Sequence, residues 1–168
     1  RVLTENGSDV QPGTGERGQI ALGWPLPLGY FKDPVKTQEA FPMVGGRRWS
    51  IPGDWATVEA DGTITLLGRG SACINTGGEK VFPEEVEEAL KELEAVVDCN
   101  VVGLEDDRWG QAVTAVVELT TPGAADADEL RDGVRERLAG YKVPKRIVIV
   151  ERVERSPNCK SDYRWAKS

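Results

Sequence analysis

The chain has 168 residues, of which 39% are hydrophobic and 29% charged, the proportions of a globular protein with one or two small cores. Its formal net charge of −7 argues against a nucleic-acid partner, and no apolar run is long enough for a transmembrane segment. The chain lacks histidine and its three cysteines form no C-x-x-C pair, which disfavours a protein-held metal site and a histidine-activated nucleophile.

The start of the chain and its thiols suggest part of a cytoplasmic protein. The sequence begins with Arg1 and has no apolar signal segment, so we expect an internal or C-terminal piece of something longer. Cysteines in odd number fit reduced cytosolic thiols. Residues 141–168 hold eight basic and three acidic side chains, which suits either a small polyanion such as a nucleotide or CoA, or a simple solvated tail.

The first 70 residues are predicted to contain loops and short strands. Turn-forming residues fill 1–17, which indicates a loop or a frayed end, and residues 19–23 are a plausible short strand. Two β-prone runs at 55–59 and 63–67 are joined by Asp61-Gly62, which predicts a β-hairpin.

Residues 68–87 combine an unusual set of local signals. Gly68 and Gly70 flank Arg69, which relaxes the backbone on both sides of one cation. Thr76-Gly77-Gly78 predicts a tight turn between strands at 73–75 and 80–82. Pro83 followed by two glutamates indicates the start of a helix. Taken alone, the stretch is simply a hairpin that leads into a helix.

The remaining sequence predicts an alternation of helices and strands. We expect a helix at 83–93 with its glutamates on a solvated face, strands at 95–104 and 112–119 around a loop at 105–110, a helix at 127–139, and a buried strand at 147–150. Asp126 and Glu129 form a capping-box-like start for the second helix, and Gly140 supplies its stop. The fold class is therefore α+β: a β-hairpin with a mixed sheet and two or three helices.

Four segments, in order along the chain, resemble motifs of the adenylate-forming family, which includes acyl-CoA synthetases, luciferases and the adenylation domains of peptide synthetases. They are residues 29–34 with Thr37 and Phe41, Pro52-Gly53-Asp54, residues 69–87, and Ser156-Pro157-Asn158-Cys159-Lys160. Residues 76–87 look most like those of bacterial fatty-acid and related acyl-CoA ligases. The resemblance implies that residues 1–70 end a large N-terminal domain, where they contribute to a β-barrel subdomain, and that residues 71–168 form a mobile C-terminal domain.

The resemblance implies a role for each matching residue. Lys160 would be the catalytic lysine, because an ammonium can bridge a carboxylate and the α-phosphate of ATP as the two anions meet. Asp54 would hold the ribose hydroxyls of the adenylate, and Arg69 would contact ribose and phosphates. Ser71 would be the hinge about which the small domain turns between adenylation and thioester formation.

The same resemblance implies a route for the thiol. The turn at Thr76, Gly77, Gly78 and Glu79 would let pantetheine pass close to the backbone. The adenosine phosphates of CoA would meet cations on the outer face of the small domain, for which the weak candidates are Lys142, Lys145, Arg146 and Arg108. It is equally consistent with the sequence that these cations are solvated surface residues with no role in CoA binding.

One residue departs from the family pattern. Glycine usually precedes the catalytic lysine, whereas this chain has Cys159. A Cβ at this position restricts positive φ and adds bulk near the substrate, so the loop could be altered. We expect activity to survive.

The implied function is that of an AMP-forming acyl-CoA synthetase that uses a small-molecule carboxylic acid, expected to be a fatty acid, together with ATP, Mg²⁺ and CoA. The family's phosphate loop, adenine motif and acyl pocket do not occur in these residues, so this chain alone should not turn over, and an oligomer of the full-length protein stays possible. Two alternatives remain open: an acyl-AMP ligase that loads a carrier protein, and a non-catalytic α+β binding module.

Overall fold

The computed structural model describes residues 1–168 and divides into two compact units, Arg1–Ser71 and Ala72–Ser168. Each unit has its own sheets and its own buried side chains. No helix in either unit has the length and apolar character needed to cross a bilayer.

The first unit is built on a four-stranded antiparallel sheet. Its elements are β1 (Val2–Leu3), β2 (Gly18–Ile20), α1 (Pro34–Ala40), β3 (Met43–Val44), β4 (Arg47–Arg48), β5 (Asp54–Val58) and β6 (Ile64–Arg69). The sheet order is β1-β2-β5-β6, and β3 and β4 pair separately. The predicted hairpin is confirmed as β5 and β6, with Gly62 in its turn at a φ of 85°.

The expectation that residues 1–17 form a loop or a frayed end is wrong for their first part. Val2 pairs with Ile20 in the sheet, and Val2, Leu3 and Val10 are buried. The amide of Ala21 also donates to the carbonyl of Arg1 at 2.8 Å. A two-residue strand is too short to show periodicity, so its burial could not be read from the pattern.

Helix α1 was not predicted, although the motif around it was recognised. Pro34 begins the helix, and the side chain of Asp33 accepts a hydrogen bond from the amide of Lys36 at 2.9 Å. The hydroxyl of Thr37 accepts from the amide of Tyr30 at 2.9 Å, which closes the preceding turn. The motif residues therefore make a capped helix of two turns.

The second unit combines one mixed sheet with two main helices. Its elements are β7 (Ile74–Thr76), β8 (Glu79–Val81), α2 (Pro83–Lys91), β9 (Val96–Asp106), β10 (Gly110–Leu119), α3 (Ala127–Arg135), β11 (Arg146–Val150) and a short 3₁₀ turn at Trp165–Lys167. β9 and β10 pair antiparallel along almost their whole length, whereas β11 runs parallel to β10. β7 and β8 form a hairpin that joins the sheet at β10.

The core of this unit lies between the sheet and helices α2 and α3. Val86 and Leu90 from α2 and Val134 from α3 are fully buried against inward-facing residues of β9 and β10. The cap of α3 is the predicted capping box of Asp126 and Glu129. The element order and the α+β class with a mixed sheet are as the sequence predicts.

Two elements differ from expectation. Helix α3 ends at Arg135 and not at Ala139, because the amide of Arg137 already bonds to the carbonyl of Val134 in a tighter turn. Strand β11 is not buried: Val148 and Ile149 are 49% and 44% exposed. The strand is an edge of the sheet, and an apolar run does not distinguish an edge strand from a central one.

Candidate functional site

The lysine predicted to be catalytic sits on a closed, exposed loop. The amide of Ser156 donates to the carbonyl of Lys160 at 2.9 Å, and the hydroxyl of Ser156 donates to the same carbonyl at 2.8 Å. The amide of Cys159 donates back to the carbonyl of Ser156 at 2.8 Å. The side chain of Lys160 is exposed and has no acidic partner within the chain. The loop therefore presents a free ammonium group on a backbone tied by its own hydrogen bonds.

The residue that departs from the family pattern lies in the left-handed region. Cys159 has a φ of 60°, a conformation that glycine adopts without cost and that a side chain disfavours. Its thiol is exposed. The backbone at Cys159 therefore keeps the positive φ that glycine would adopt, although the cysteine side chain disfavours this conformation.

An ion pair anchors the base of this loop. Nε of Arg155 donates to Oδ2 of Asp98 in β9 at 2.7 Å, and a second guanidinium nitrogen contacts Oδ1. Burial on its own would raise the pKa of Asp98, but hydrogen bonds from Arg155 and from the amide of Cys99 hold it below the usual range. Asp98 is thus a carboxylate at neutral pH, committed to Arg155.

The predicted thiol-access turn is the tip of the β7–β8 hairpin. Gly77 and Gly78 have φ values of 59° and 87°, which only glycine adopts freely at two successive turn positions. The amide of Gly77 donates to the carbonyl of Trp109 at 2.9 Å, and a Cβ on Gly77 would come within 3.0 Å of the Trp109 ring. Thr76 is buried, whereas Gly77, Gly78 and Glu79 are exposed.

Trp109 brings the glycine turn together with two of the candidate cations. The guanidinium of Arg108 lies 4.7 Å from the ring centroid, and Nζ of Lys145 lies 5.4 Å from it. Arg146 is more than half exposed and lies 3.6 Å from a carboxylate oxygen of Asp106. The structure therefore groups Gly77, Lys145, Arg146 and Arg108 at one end of the sheet.

Lys142 is placed differently from the other candidate cations. Its Nζ donates to Oε1 of Glu85 at 2.8 Å, and both side chains are largely buried, with 17% and 15% exposure. A cation neutralised in a short, largely buried pair is a weaker phosphate ligand than Arg146, whose pair with Asp106 is longer and more exposed.

In the first unit, the structure joins Asp54 and Arg69. They are directly opposite each other at the ends of β5 and β6, and Nε of Arg69 lies 3.3 Å from Oδ1 of Asp54. Both remain accessible, with side-chain exposures of 32% and 62%. The amide of Gly70 donates to the carbonyl of Gly53, which closes this end of the hairpin. A carboxylate and a guanidinium are thus presented side by side.

Ser71 lies in a single 3₁₀ turn, Gly70–Ala72, and is exposed. It is the last residue of the first unit. An exposed residue at the boundary between two compact units is a suitable place for a backbone rotation.

The glutamates of α2 do not all form a solvated face, which corrects the expectation for this helix. Glu87 is 4% exposed, and its Oε1 accepts from the amide of Val101 in β9 at 2.9 Å. Burial, together with the nearby Glu84, raises the pKa of Glu87 to about 7 despite that hydrogen bond. Glu85 is likewise largely buried. Helical periodicity places Glu85 and Glu87 beside the apolar stripe of α2. It does not show which polar groups they contact in the folded protein.

The cysteines differ in their accessibility. Burial raises the pKa of the Cys99 thiol to about 12, so this residue behaves as a small apolar side chain. All three cysteines are free.

Three residues of the site were missed by sequence reasoning. The sequence assigns Trp109 only to a loop, and it does not single out Asp98 or Arg155. Trp109 could have been found from the short run Arg108-Trp109-Gly110 between two strands, because an aromatic side chain in a polar loop needs a packing partner. No local pattern signals the Asp98–Arg155 pair, because its members are 57 positions apart.

Comparison with known proteins finds a matching domain model and similar ligases. Residues 85–160 match the AMP-binding enzyme C-terminal domain. A 3-oxocholest-4-en-26-oate–CoA ligase from Rhodococcus rhodochrous is 52% identical over 166 residues, which cover 99% of this chain and 30% of the relative. A medium/long-chain-fatty-acid–CoA/3-oxocholest-4-en-26-oate–CoA ligase from Mycobacterium marinum is 54% identical with the same coverage.

A solved structure supports the same placement. The o-succinylbenzoate CoA synthetase of Bacillus subtilis, in complex with its acyl-adenylate intermediate, superposes with a TM-score of 0.86 at 31% identity. The alignment covers 99% of this chain and 33% of that one. The chain spans about 30% of the length of the curated relatives it matches. Residues 85–160 thus carry the C-terminal domain of AMP-binding enzymes, and nearly the whole chain is similar to one third or less of known CoA ligases.

Proposed function

We propose that this chain is the C-terminal part of an AMP-forming acyl-CoA synthetase. The full-length protein activates a carboxylic acid with ATP to an acyl-adenylate and pyrophosphate, and then transfers the acyl group to CoA. The names of the relatives at 52% and 54% identity support a fatty or sterol-derived acid as the substrate. They also favour free CoA over a carrier protein as the acceptor.

The observation that carries the proposal is the free ammonium of Lys160 on its closed loop. Attack of a carboxylate on the α-phosphate brings two anions together, and the barrier falls when a cation is already placed between them. An exposed lysine without a counter-ion can supply that charge, whereas one engaged in an ion pair would first have to give up its partner. The tied backbone reduces the freedom of the lysine before substrate binds.

Asp54 and Arg69 are suited to the nucleotide. A carboxylate accepts hydrogen bonds from the two ribose hydroxyls, and the guanidinium fork binds ribose and phosphate oxygens. Because Nε of Arg69 lies 3.3 Å from Oδ1 of Asp54, both side chains can contact the same nucleotide. Mg²⁺ would arrive with the phosphates of ATP, which are its usual ligands in enzymes of this kind.

The exposed Gly77-Gly78 turn is suited to the pantetheine arm of CoA, because backbone without side chains allows close approach. Trp109 holds the turn in place through its carbonyl. Lys145, Arg146 and Arg108 lie around the same corner and would meet the phosphates of CoA, with Lys142 contributing less because of Glu85. Ser71 would act as the hinge between the two half-reactions. Free thiols fit a cytoplasmic location of the full-length protein.

The test is Lys160→Ala in the full-length protein, assayed for each half-reaction separately. We expect pyrophosphate release from ATP and the acid to fall by about 100-fold or more, because a transition-state charge contact is lost. Formation of acyl-CoA from separately prepared acyl-adenylate should continue, since it does not need this cation. Lys167→Ala, an exposed lysine in the terminal 3₁₀ turn, is the matched control and should leave both rates unchanged.

Undiminished pyrophosphate release by Lys160→Ala would overturn the proposal. Offering either CoA or a carrier protein to the wild-type adenylate identifies the acceptor, and transfer to the carrier protein alone would replace the CoA ligase by an acyl-AMP ligase.

A further inference from the structure

The loop that carries Lys160 begins and ends at two residues that touch. Arg155 and Ser161 form an isolated antiparallel bridge, and Nη1 of Arg155 donates to the hydroxyl of Ser161 at 2.9 Å. Between them, the hydrogen bonds of Ser156 tie the loop to itself. The position of the Lys160 backbone therefore depends on where this base is held.

Asp98 holds the base against the longest strand of the domain. The two carboxylate oxygens of Asp98 accept from two different nitrogens of Arg155, which is a bidentate arrangement. Such a pair fixes both the distance and the plane of the guanidinium. Oδ1 of Asp98 also accepts from the amide of Cys99 at 2.8 Å, so the carboxylate itself is oriented by β9.

The geometry distinguishes this anchor from the other contacts of the terminal segment. The amide of Val153 donates to Glu118 at 2.8 Å, and the side chain of Asn100 donates to the carbonyl of Glu154 at 3.4 Å. Both contacts hold the chain before the loop. Arg155 is the residue from which the loop departs, and it contacts both the sheet and the returning end of the loop. A single guanidinium thus links three parts: β9, the start of the loop and its end.

The ion pair of Asp98 and Arg155 is partly shielded from water, so it can fix the position of the loop. The side chains of Arg155 and Asp98 are 30% and 22% exposed, so water competes with the contact less than it does at an open surface. An ion pair at a fully exposed site would contribute little to the position of a loop.

We infer that Asp98 and Arg155 are positioning residues for adenylate formation, acting through the loop at 156–160 to place the ammonium of Lys160. The inference rests on the proposed function, because it assigns a purpose to the anchor of that lysine. Neither residue touches substrate. Their effect is confined to the step that uses Lys160, so thioester formation does not depend on them.

The experiment is Asp98→Asn in the full-length protein, which keeps the size of the side chain and removes its charge and one of its two acceptors. We expect the maximal rate of pyrophosphate release to fall about 10- to 100-fold, as for a reacting group displaced by about 1 Å. KM for ATP and for the acid should change little, because binding groups are untouched. The rate of acyl-CoA formation from prepared acyl-adenylate should equal that of the wild type.

Arg155→Lys is the second variant and keeps the positive charge while removing the planar fork. It should fold, because a cation still faces Asp98, and it should show a smaller selective loss in the adenylation step than Asp98→Asn. The control is Glu92→Gln, which breaks the ion pair of Glu92 and Arg137, at 3.0 Å, between other parts of the same unit. That control should leave both half-reactions unchanged.

Equal slowing of both half-reactions by Asp98→Asn and Arg155→Lys would show a general structural role and overturn the inference. So would no slowing of either. Lys160→Ala distinguishes a failure of the proposed function from a failure of the positioning role of Asp98 and Arg155. If that variant keeps full adenylation, the proposed function fails; if it loses adenylation while Arg155→Lys and Asp98→Asn do not, only the positioning role fails.

Discussion

At the scale of single residues, Cys159 is the most unusual backbone position of the loop. Its φ of 60° is sterically unfavourable for any residue with a Cβ. The conformation is retained because three hydrogen bonds between Ser156, Cys159 and Lys160 close the turn. The chain therefore stores a small strain next to its candidate catalytic lysine.

Cys159→Gly should relieve that strain. We expect the loop to gain about 1 kcal/mol of stability, the typical cost of a side chain in the left-handed region. Amide hydrogen exchange of residues 156–160 in the full-length protein measures the gain as slower exchange. Arg164→Gly is the control, since Arg164 has a φ of −74° and should gain nothing. Faster exchange in Cys159→Gly would contradict the strain argument.

Activity should be nearly the same in Cys159→Gly, because the loop already adopts the turn that glycine would favour. A many-fold rise in adenylation would instead mean that the cysteine tunes the reaction.

The sequence predicts those site residues whose role is local. Two successive glycines, Gly77 and Gly78, predict a turn from residue type alone. The motif at 156–160 predicts the role of Lys160 from local sequence, without its contacts in the folded protein. The Asp98–Arg155 pair could not be predicted, because an acidic residue in a strand is compatible with many partners. Only the folded sheet shows which cation arrives beside it. Trp109 was missed for the same reason: its contact with Gly77 joins two separate turns.

At the scale of elements, Glu87 connects helix α2 to strand β9. Its carboxyl accepts from the amide of Val101, and its backbone carbonyl lies 3.5 Å from the thiol of Cys99. The raised pKa means that folding favours the protonated acid. The contribution to stability is therefore full below the unfolded pKa of about 4.3 and is lost as pH rises through about 7.

Glu87→Gln should remove this pH dependence, because the amide keeps an acceptor and never ionises. We expect the variant to become more stable than the wild type by about 2 to 3 kcal/mol as pH rises from about 4.5 to above 7. The measurement is thermal unfolding of both full-length proteins across that range. Parallel curves for the two proteins would show that Glu87 is not protonated in the folded state near neutral pH.

Most elements were predictable because their ends carry local chemistry. The turns at Asp61-Gly62 and Gly77-Gly78, Pro83 at the start of α2 and the capping box of α3 each mark a boundary. The errors concern features that depend on packing. The exposure of β11 and the burial of β1 are decided by neighbours distant in sequence, and a short pattern has no information about them. The end of α3 is set by the tighter turn at Val134, which a helical period does not mark.

At the scale of the whole molecule, the chain consists of two units that meet in sequence at Ser71 and Ala72. Our proposal needs the second unit to serve two reactions, with Lys160 in one and the Gly77-Gly78 turn in the other. In this proposal one active site would not hold both at once, and a rotation of the backbone near Ser71 would exchange them between the steps.

Ser71→Pro should restrict that rotation, because proline fixes φ near −65°. We expect acyl-CoA formation to fall about 10-fold or more while pyrophosphate release is largely kept, because proline hinders only the change between the two orientations. Single-turnover assays of both steps in the full-length protein measure the effect. Ser168→Pro, at the other end of the second unit, is the control. Full thioester formation by Ser71→Pro would remove Ser71 from the hinge.

The position of β11 at the rim of its sheet has a practical consequence. The strand has a strand neighbour on one side only, so the amides and carbonyls of its other side are open to pairing with a foreign chain. Exposed Val148 and Ile149 make such pairing more favourable, whereas the charged residues Arg146, Glu151 and Arg152 at its two ends oppose it. We therefore expect neutral substitutions of these charges to increase self-association of the second unit.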